Sequence, residues 1–335
     1  MDNYLVDVPV KINIWIRKSL QIKQFEVIKK AKPSILFIQS DGGRNEKENE
    51  IIRECREYID SNIDWNCEVY RFYESENNGL YAMGSKVRNF IWEKVDRCIF
   101  LEDDDIPSVS FFEFCAQMLE KYKDDYRVQG VSGFNPLGVW DKTEADYFFS
   151  GETNPWGTAT WKRSVQLLNA EDFSYHDSQY ICNLIKASVS NQQYRFFMKC
   201  GKEKQVNGHV PGGEFYKGIG RITQNALFIM PKYNLISNYG CGDDAIHSNS
   251  YKTLSREEQK LYYSKAYELT FPLTHPKYMI RDTIFEKKAV RINGFGHPIV
   301  RFKRRVIKGF KILIVSGWPG LKQKIGKLRI NRAEK

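Results

Sequence analysis

Four consecutive acidic residues, Glu102 to Asp105, are the part of the sequence whose residue types point most directly to chemistry. They follow the apolar run Ile99-Phe100-Leu101, which is typical of a buried strand, and they precede Pro107. Neighbouring carboxylates repel one another, so they require solvent or a bound cation. A divalent cation shared between one or two carboxylates and substrate phosphates meets this requirement. The alternative is a solvated acidic turn that leads into the next helix, with a serine as its N-cap.

Two further polar clusters precede this one, at Asp41-Gly42-Gly43-Arg44 and at Asn77-Asn78-Gly79. Each of the three clusters follows a segment that we predict to be a strand. The carboxyl ends of parallel strands meet at one edge of a sheet, where ligands bind in open α/β folds. The sequence therefore predicts one binding site assembled from three loops that are far apart in the chain.

The elements that must position these loops alternate through the first 135 residues. Strands are predicted at 8–16, 34–39, 68–73, 98–101 and 128–132, and helices at 19–30, 45–59, 80–95 and 111–122. This alternation predicts an α/β fold, with a mostly parallel sheet and helices on both of its faces. The second half is less regular and rich in Gly, Asn and aromatic residues, with helices predicted at 161–168, 178–189 and 255–267.

Charge is distributed unevenly along the 335 residues. The net charge is +10, but residues 301–335 alone contain twelve Lys or Arg and one acid, so the other 300 residues carry a net charge of −1. A nucleic-acid-binding protein should carry its basic residues on a folded binding face. The distribution argues against that class of protein.

The seven cysteines indicate a reduced protein. Their number is odd and no two have CxxC spacing, which is typical of buried free thiols in the cytoplasm. The first residues lack the pattern of a secretory signal, and no apolar run reaches the roughly 18 residues that span a bilayer. We expect a cytoplasmic protein, either free or peripheral on the inner face of the plasma membrane.

The run from Leu101 to Ser108, followed by Phe111-Phe112, resembles the metal motif of GT-A glycosyltransferases. It is most similar to a family 2-like branch that includes relatives of the animal N-acetylglucosaminyltransferase I. Other matches occur in the same order over residues 8 to 250: Pro9-Val10, Ser40-Asp41-Gly42, Asn78-Gly79, Gly84, Trp156-Gly157, Ala159-Thr160-Trp161, Pro231, Asn234 to Asn238, Gly242 to Ala245, and His247.

This resemblance implies a GT-A fold and an inverting, metal-dependent glycosyltransferase of surface polysaccharide synthesis. Its donor would be a nucleotide-sugar, most simply a UDP-sugar, and its acceptor a glycan or a lipid-linked saccharide. We expect a donor-binding half at 1–135, an acceptor-binding half of the same domain at 136–285, and a basic extension at 286–335. Two other interpretations stay open: a nucleotidyltransferase that makes the sugar donor, and a non-catalytic relative that binds glycan or membrane.

The resemblance also assigns roles to single residues of the donor site. Asp104 would bind Mn²⁺ or Mg²⁺ directly, with His247 completing the metal or diphosphate site, and Asp103 would contact the ribose or a metal-bound water. Asp41 would bind the uracil base, although capping its own turn is an equally physical role. The remaining donor contacts implied are Asn78, Gly79 and Trp156.

An inverting transfer needs a general base. The resemblance places it at Glu214, with Asp244 and Asp177 as alternatives. An acid at this position also suits the first turn of a helix. The chain departs from its relatives here, with Gly-Glu in place of Trp-Asp.

Two further departures concern the ligand pocket. Trp15-Ile16-Arg17-Lys18 replaces an Arg-Pro pair after the first strand, and Thr158 replaces a tryptophan. We expect the first change to alter the nucleotide pocket and the second to alter the choice of sugar or acceptor.

The basic tail combines Lys and Arg with Phe, Ile, Val and Trp over residues 300–335. Such a segment suits the surface of an anionic membrane. It also suits a helix that packs its apolar side on the domain.

Overall fold

The first part of the chain forms the predicted alternation of strands and helices. The computed structural model describes residues 6–168, 174–207, 213–241, 251–292 and 298–333. The elements up to residue 132 are β1 (Val10–Ile14), α1 (Lys18–Ala31), β2 (Ile35–Ser40), α2 (Glu46–Asn62), β3 (Glu68–Tyr73), α3 (Leu80–Lys94), β4 (Arg97–Phe100), β5 (Asp105–Pro107), α4 (Ser110–Lys121) and β6 (Val128–Ser132). Apart from the short β5, each was predicted to within three residues.

The remaining part is mixed. Its elements are β7 (Tyr147–Ser150), β8 (Thr158–Trp161), α5 (Lys162–Leu168), α6 (Gln179–Ser188), α7 (Asn191–Asn207), α8 (Gly213–Thr223), β9 (Leu227–Pro231), β10 (Ile236–Asn238), α9 (Arg256–Gln259), α10 (Thr283–Ile292) and α11 (Pro298–Ala333), with short 3₁₀ turns at Ser174–His176 and Tyr251–Thr253.

Eight of these strands form one sheet in the order β3-β2-β1-β4-β8-β6-β9-β7. The pairs β3-β2, β2-β1, β1-β4 and β6-β9 are parallel, whereas β8 and β7 run antiparallel to their neighbours. Because β8 lies between β4 and β6, the two halves of the chain share a single sheet. β5 and β10 pair separately as a small antiparallel ribbon.

Helices cover both faces of the sheet, as the sequence predicts. On one face, Ile12 and Ile99 pack with Phe25 of α1 in the main hydrophobic core, which also includes buried side chains of α2 and α4. On the other face, Phe37 and Cys98 pack with the buried side chains of α3. Alternate residues of one strand point to opposite faces, so a continuous apolar run is required for a sheet covered on both sides. The fold class is therefore confirmed as α/β with a mostly parallel central sheet.

The helix predicted at 255–267 is wrong beyond its first turn. α9 starts with a capping box, in which the Ser255 side chain and Glu258 satisfy each other's backbone N–H groups, but it ends at Gln259. The chain then runs alongside β10, where the Tyr263 N–H donates to the Asn238 carbonyl at 2.8 Å and the Tyr267 N–H donates to the Asn234 carbonyl at 2.8 Å. Tertiary pairing of these backbone groups outweighs the helical pattern.

The cysteines and the last helix complete the fold. The seven cysteines are all in the reduced form, and six are buried while Cys67 is half-buried, as predicted. α11 is interrupted at Gly317, whose φ of 62° and ψ of −170° are not helical, and Pro319 follows this break. Within the described residues, no helix has both the length and the apolar character that crossing a membrane requires.

Candidate functional site

The acidic cluster begins at the carboxyl end of β4, beside the end of β1. The Glu102 carboxylate accepts a hydrogen bond from the Asn13 side chain at 2.7 Å. The Gln24 side chain of α1 donates to the backbone carbonyls of Glu102 at 2.6 Å and Asp105 at 2.7 Å. These bonds fix the backbone on both sides of Asp103 and Asp104, so the two carboxylates have a defined position.

Asp103 and Asp104 converge on one cation, the Arg17 guanidinium. A single Arg17 nitrogen, Nη1, lies 3.1 Å from Asp103 Oδ2 and 2.9 Å from Asp104 Oδ2. The three side chains are 13 to 19% exposed, so solvent screens them only in part. Burial raises the pKa of Asp103 to about 6 and also raises the pKa of Asp104, and in both groups the Arg17 charge opposes the shift. The two carboxylates therefore form a partly buried site in which a positive charge stabilises their ionised forms.

The other Asp104 oxygen is bound by β10. Asn238 Nδ2 donates to Asp104 Oδ1 at 2.7 Å, and its own Oδ1 accepts from the Gly240 N–H at 2.9 Å. Gly240 comes so close that a Cβ there would lie 2.1 Å from Asp104 Oδ2. The chain around residue 240 thus packs directly against the acidic pair.

Asp105 has a structural role. It is fully buried, and its carboxylate accepts from the N–H groups of Glu102 at 3.2 Å and Gly157 at 2.9 Å and from Asn238 Nδ2 at 3.0 Å. Burial, followed by the neighbouring Asp104, raises its pKa well above the usual range. The last acid of the cluster therefore ties β4, β8 and β10 together.

Asp41 joins the other two polar clusters. Its Oδ1 accepts from the N–H groups of Gly42 at 3.1 Å and Asn78 at 2.9 Å, and its Oδ2 accepts from the Gly79 N–H at 2.8 Å. The turn-capping interpretation describes these contacts, and through them the loop after β3 is held against the end of β2. Arg44, in the loop after β2, has its guanidinium 5.9 Å from the centroid of the Trp15 ring, which follows β1. This contact links the loop after β2 to the end of β1, the strand next to β4.

An aromatic wall borders the cluster on the side of β10. The Trp156 ring lies 4.7 Å from Phe134 and 5.3 Å from Tyr262, measured between ring centroids. The next residue, Gly157, has a φ of +57°, and its N–H is the donor to Asp105. Trp156 is half-buried, so part of its side chain is accessible to solvent.

The chemistry of this donor set fits a divalent cation. Two carboxylate oxygens lie about 3 Å from one positively charged guanidinium nitrogen, and hard oxygen ligands suit Mg²⁺ and Mn²⁺. In the part of the chain that the structure describes, no group of three or more His, Cys, Asp and Glu side chains is arranged to hold a metal. Phosphate oxygens of a substrate and residues beyond that part would have to supply the other ligands.

Several predicted site residues fall outside this description. Asp244 and His247 lie outside the described residues. Glu214 is the second residue of α8, but its side chain is not among those described. Asp177 is described: its side chain is 60% exposed and lies 3.5 Å from His176 Nε2. The roles predicted for Asp244, His247 and Glu214 therefore stay predictions, and the only contact described for Asp177 is with His176.

Two residues of the site had no predicted role. Arg17 was noted only as a departure from the pattern of relatives, and Asn238 only as part of a matching segment. A lone Arg after a strand carries no spacing signal, and β10 reaches the acidic cluster only through its pairing with β5. The sequence offers no direct signal for either contact.

Comparisons with known proteins give matches among solved structures only. No family model matches the chain, and no curated protein matches it. Among solved structures, 97 chains match. One is the crystal structure of UDP-glucose pyrophosphorylase complexed with UDP-glucose, with a TM-score of 0.34 and 9% sequence identity, covering 70% of this chain and 92% of that chain.

Proposed function

We propose that this protein is an inverting glycosyltransferase that takes a sugar from a UDP-sugar, with Mn²⁺ or Mg²⁺, and transfers it to a glycan or lipid-linked acceptor in surface polysaccharide synthesis. The observation that carries the proposal is the convergence of Asp103 and Asp104 on one cation position at the carboxyl end of β4. Ligands of open α/β sheets bind at this edge. The motif resemblance to GT-A enzymes lies on the same residues.

Each side chain then has a defined task. Asp104 would hold the divalent cation directly, and Asp103 would contact the ribose or a water on the metal. The cation would supply charge neutralisation to the departing nucleoside diphosphate. Arg17 provides positive charge at the same place and could turn toward the phosphates. Asp41 keeps Asn78 and Gly79 at the sheet edge, and the solvent-facing part of Trp156 offers a surface for a sugar or base.

The proton of the acceptor hydroxyl must go to a base. We assign this task to Glu214, with Asp244 and Asp177 as the alternatives. Direct displacement at the anomeric carbon inverts its configuration and forms no covalent intermediate with the protein. The base therefore contributes to transfer and not to donor binding.

The first test is calorimetric titration of UDP into the protein with and without Mn²⁺. We expect metal-dependent binding in the wild type and in Asp141→Ala, a matched change of an aspartate that is 74% exposed, and none in Asp104→Ala. Binding of another nucleotide in place of UDP would correct the donor. Failure of every nucleotide would overturn the enzyme in favour of a non-catalytic binding protein.

A second measurement separates transfer from binding. Glu214→Gln should bind UDP and Mn²⁺ as the wild type does, while losing hydrolysis and transfer of the sugar. If it retains both activities, the same assay on Asp244→Asn and Asp177→Asn decides between the alternatives. Release of pyrophosphate from UTP and a sugar phosphate would instead identify a nucleotidyltransferase.

A further inference from the structure

The part of α11 before the break at Gly317, residues 298–316, carries a row of exposed apolar side chains. Their spacing of three or four residues places them on one face of the helix. The row consists of Ile299, Phe302, Val306, Phe310 and Ile314, which are 60, 67, 40, 63 and 82% exposed, and Trp318 follows the break at Gly317 with 59% exposure. A contiguous exposed apolar surface of this kind marks an interaction site in a folded protein.

The opposite face of the same helix is docked on the body of the protein. Lys311 Nζ donates to the Leu254 carbonyl at 2.5 Å, and Ile312 is only 7% exposed. Arg304 and Lys308 lie 3.7 and 3.9 Å from Glu257 and Glu258 of α9. These contacts fix which face of the helix meets the body of the protein, and the apolar row faces away from the described part of the fold.

The charge of the helix selects between possible partners. Residues 298–333 contain eleven Lys or Arg and no Asp or Glu. Lys303 and Arg305 are exposed and lie among or beside the apolar residues. A second copy of this face would bring like charges together, whereas an anionic bilayer accepts both the apolar row and the positive charge.

We propose that this face of α11 lies in the interface of an anionic lipid bilayer, with the helix parallel to the membrane plane. The segment after α9 connects this surface to the acidic cluster, since the Tyr263 N–H donates to the carbonyl of Asn238, whose side chain binds Asp104. If the proposed function holds, this arrangement selects an acceptor carried on a lipid; membrane binding itself does not depend on that function.

The test is co-sedimentation of the full-length protein with vesicles of phosphatidylcholine alone or mixed with phosphatidylglycerol, without nucleotide or metal. We expect binding only to the anionic vesicles. The variant Phe302→Ser, Phe310→Ser, Trp318→Ser should lose at least about tenfold in partitioning. Because these side chains are exposed, the fold should be retained, and Tyr180→Ser serves as a matched control at a ring that is 69% exposed on α6.

A second variant tests the charge separately. Lys303→Gln with Arg305→Gln should weaken binding to anionic vesicles by about fivefold for each charge removed, and added salt should do the same. Equal sedimentation of wild type and triple variant, or no sedimentation of the wild type, would overturn the proposal. A wild-type dimer that the triple variant abolishes, without vesicle binding, would assign the face to self-association. UDP binding by the triple variant reports on the donor site independently.

Discussion

Replacing Arg17 by glutamine tests how the acidic pair is neutralised. In the wild type, one guanidinium nitrogen bonds both Asp103 and Asp104, and all three side chains are less than a fifth exposed. Removing one partner of a buried ion pair leaves an uncompensated charge and costs about 3 to 5 kcal/mol. Since these groups keep some exposure, we expect Arg17→Gln to lower the free energy of unfolding by about 2 to 3 kcal/mol without metal.

The same change should increase the affinity for Mn²⁺. In the wild type the cation must displace the guanidinium from two charge-assisted bonds, and a displacement cost of about 1.4 kcal/mol corresponds to tenfold in affinity. We therefore expect Arg17→Gln to bind Mn²⁺ at least about tenfold more tightly in the absence of nucleotide. Saturating Mn²⁺ should also restore most of the lost stability, because it binds only the folded state.

The assays are urea unfolding with and without Mn²⁺ and calorimetric titration of Mn²⁺. Lys18→Gln is the matched control, because the neighbouring Lys18 pairs with Glu54 at the surface, where both side chains are more than 40% exposed. It should change stability by less than about 1 kcal/mol and leave Mn²⁺ affinity unaltered. If Arg17→Gln bound Mn²⁺ with wild-type affinity, the guanidinium would not share the cation position and our account of the pair would be wrong.

Three further predictions concern the frame around the pair. Gly157→Ala should destabilise the fold by about 3 kcal/mol in chemical unfolding, because a Cβ at its positive φ would lie 2.3 Å from Ile236. Gly138→Ala, also at positive φ but in open space, should cost only about 1 kcal/mol. Equal losses of stability would show that the contact with Ile236 is unimportant. Asp105→Asn should cost about 2 to 3 kcal/mol by the same measurement, since the new amide would face donors, and a neutral outcome would contradict the structural role. Lys11→Met should stabilise the protein by about 2 kcal/mol at pH 7, because burial lowers the pKa of Lys11 from 10.5 to about 8 in the folded state. Between these two pH values the unfolded wild-type chain binds more protons than the folded one, so the advantage of the variant should shrink from pH 8 to pH 10.5. An advantage independent of pH would show that burial of the charged Lys11 is not its cause.

The sequence by itself determined the α/β fold through residue 132 and the elements that carry the polar clusters. Buried parallel strands leave a continuous apolar run, as in Ile35–Ser40, and the polar residues that follow such a run must lie at the edge of the sheet. Local pattern and general topology were sufficient for this part. The approach of Asp41 to Asn78 and Gly79 follows directly, because β2 and β3 are adjacent and parallel.

Only the tertiary structure decided which partners each acid of the cluster contacts. Asp103, Asp104 and Asp105 are identical in kind and consecutive in the chain, yet two face Arg17 and one is buried against Gly157 and Asn238. The partners come from the start of α1, from the residue before β8 and from β10, and no local pattern encodes which distant groups will meet a given carboxylate. The same reason applies to α11, where composition indicates an amphipathic helix and its contacts with Leu254 and α9 establish which face stays exposed.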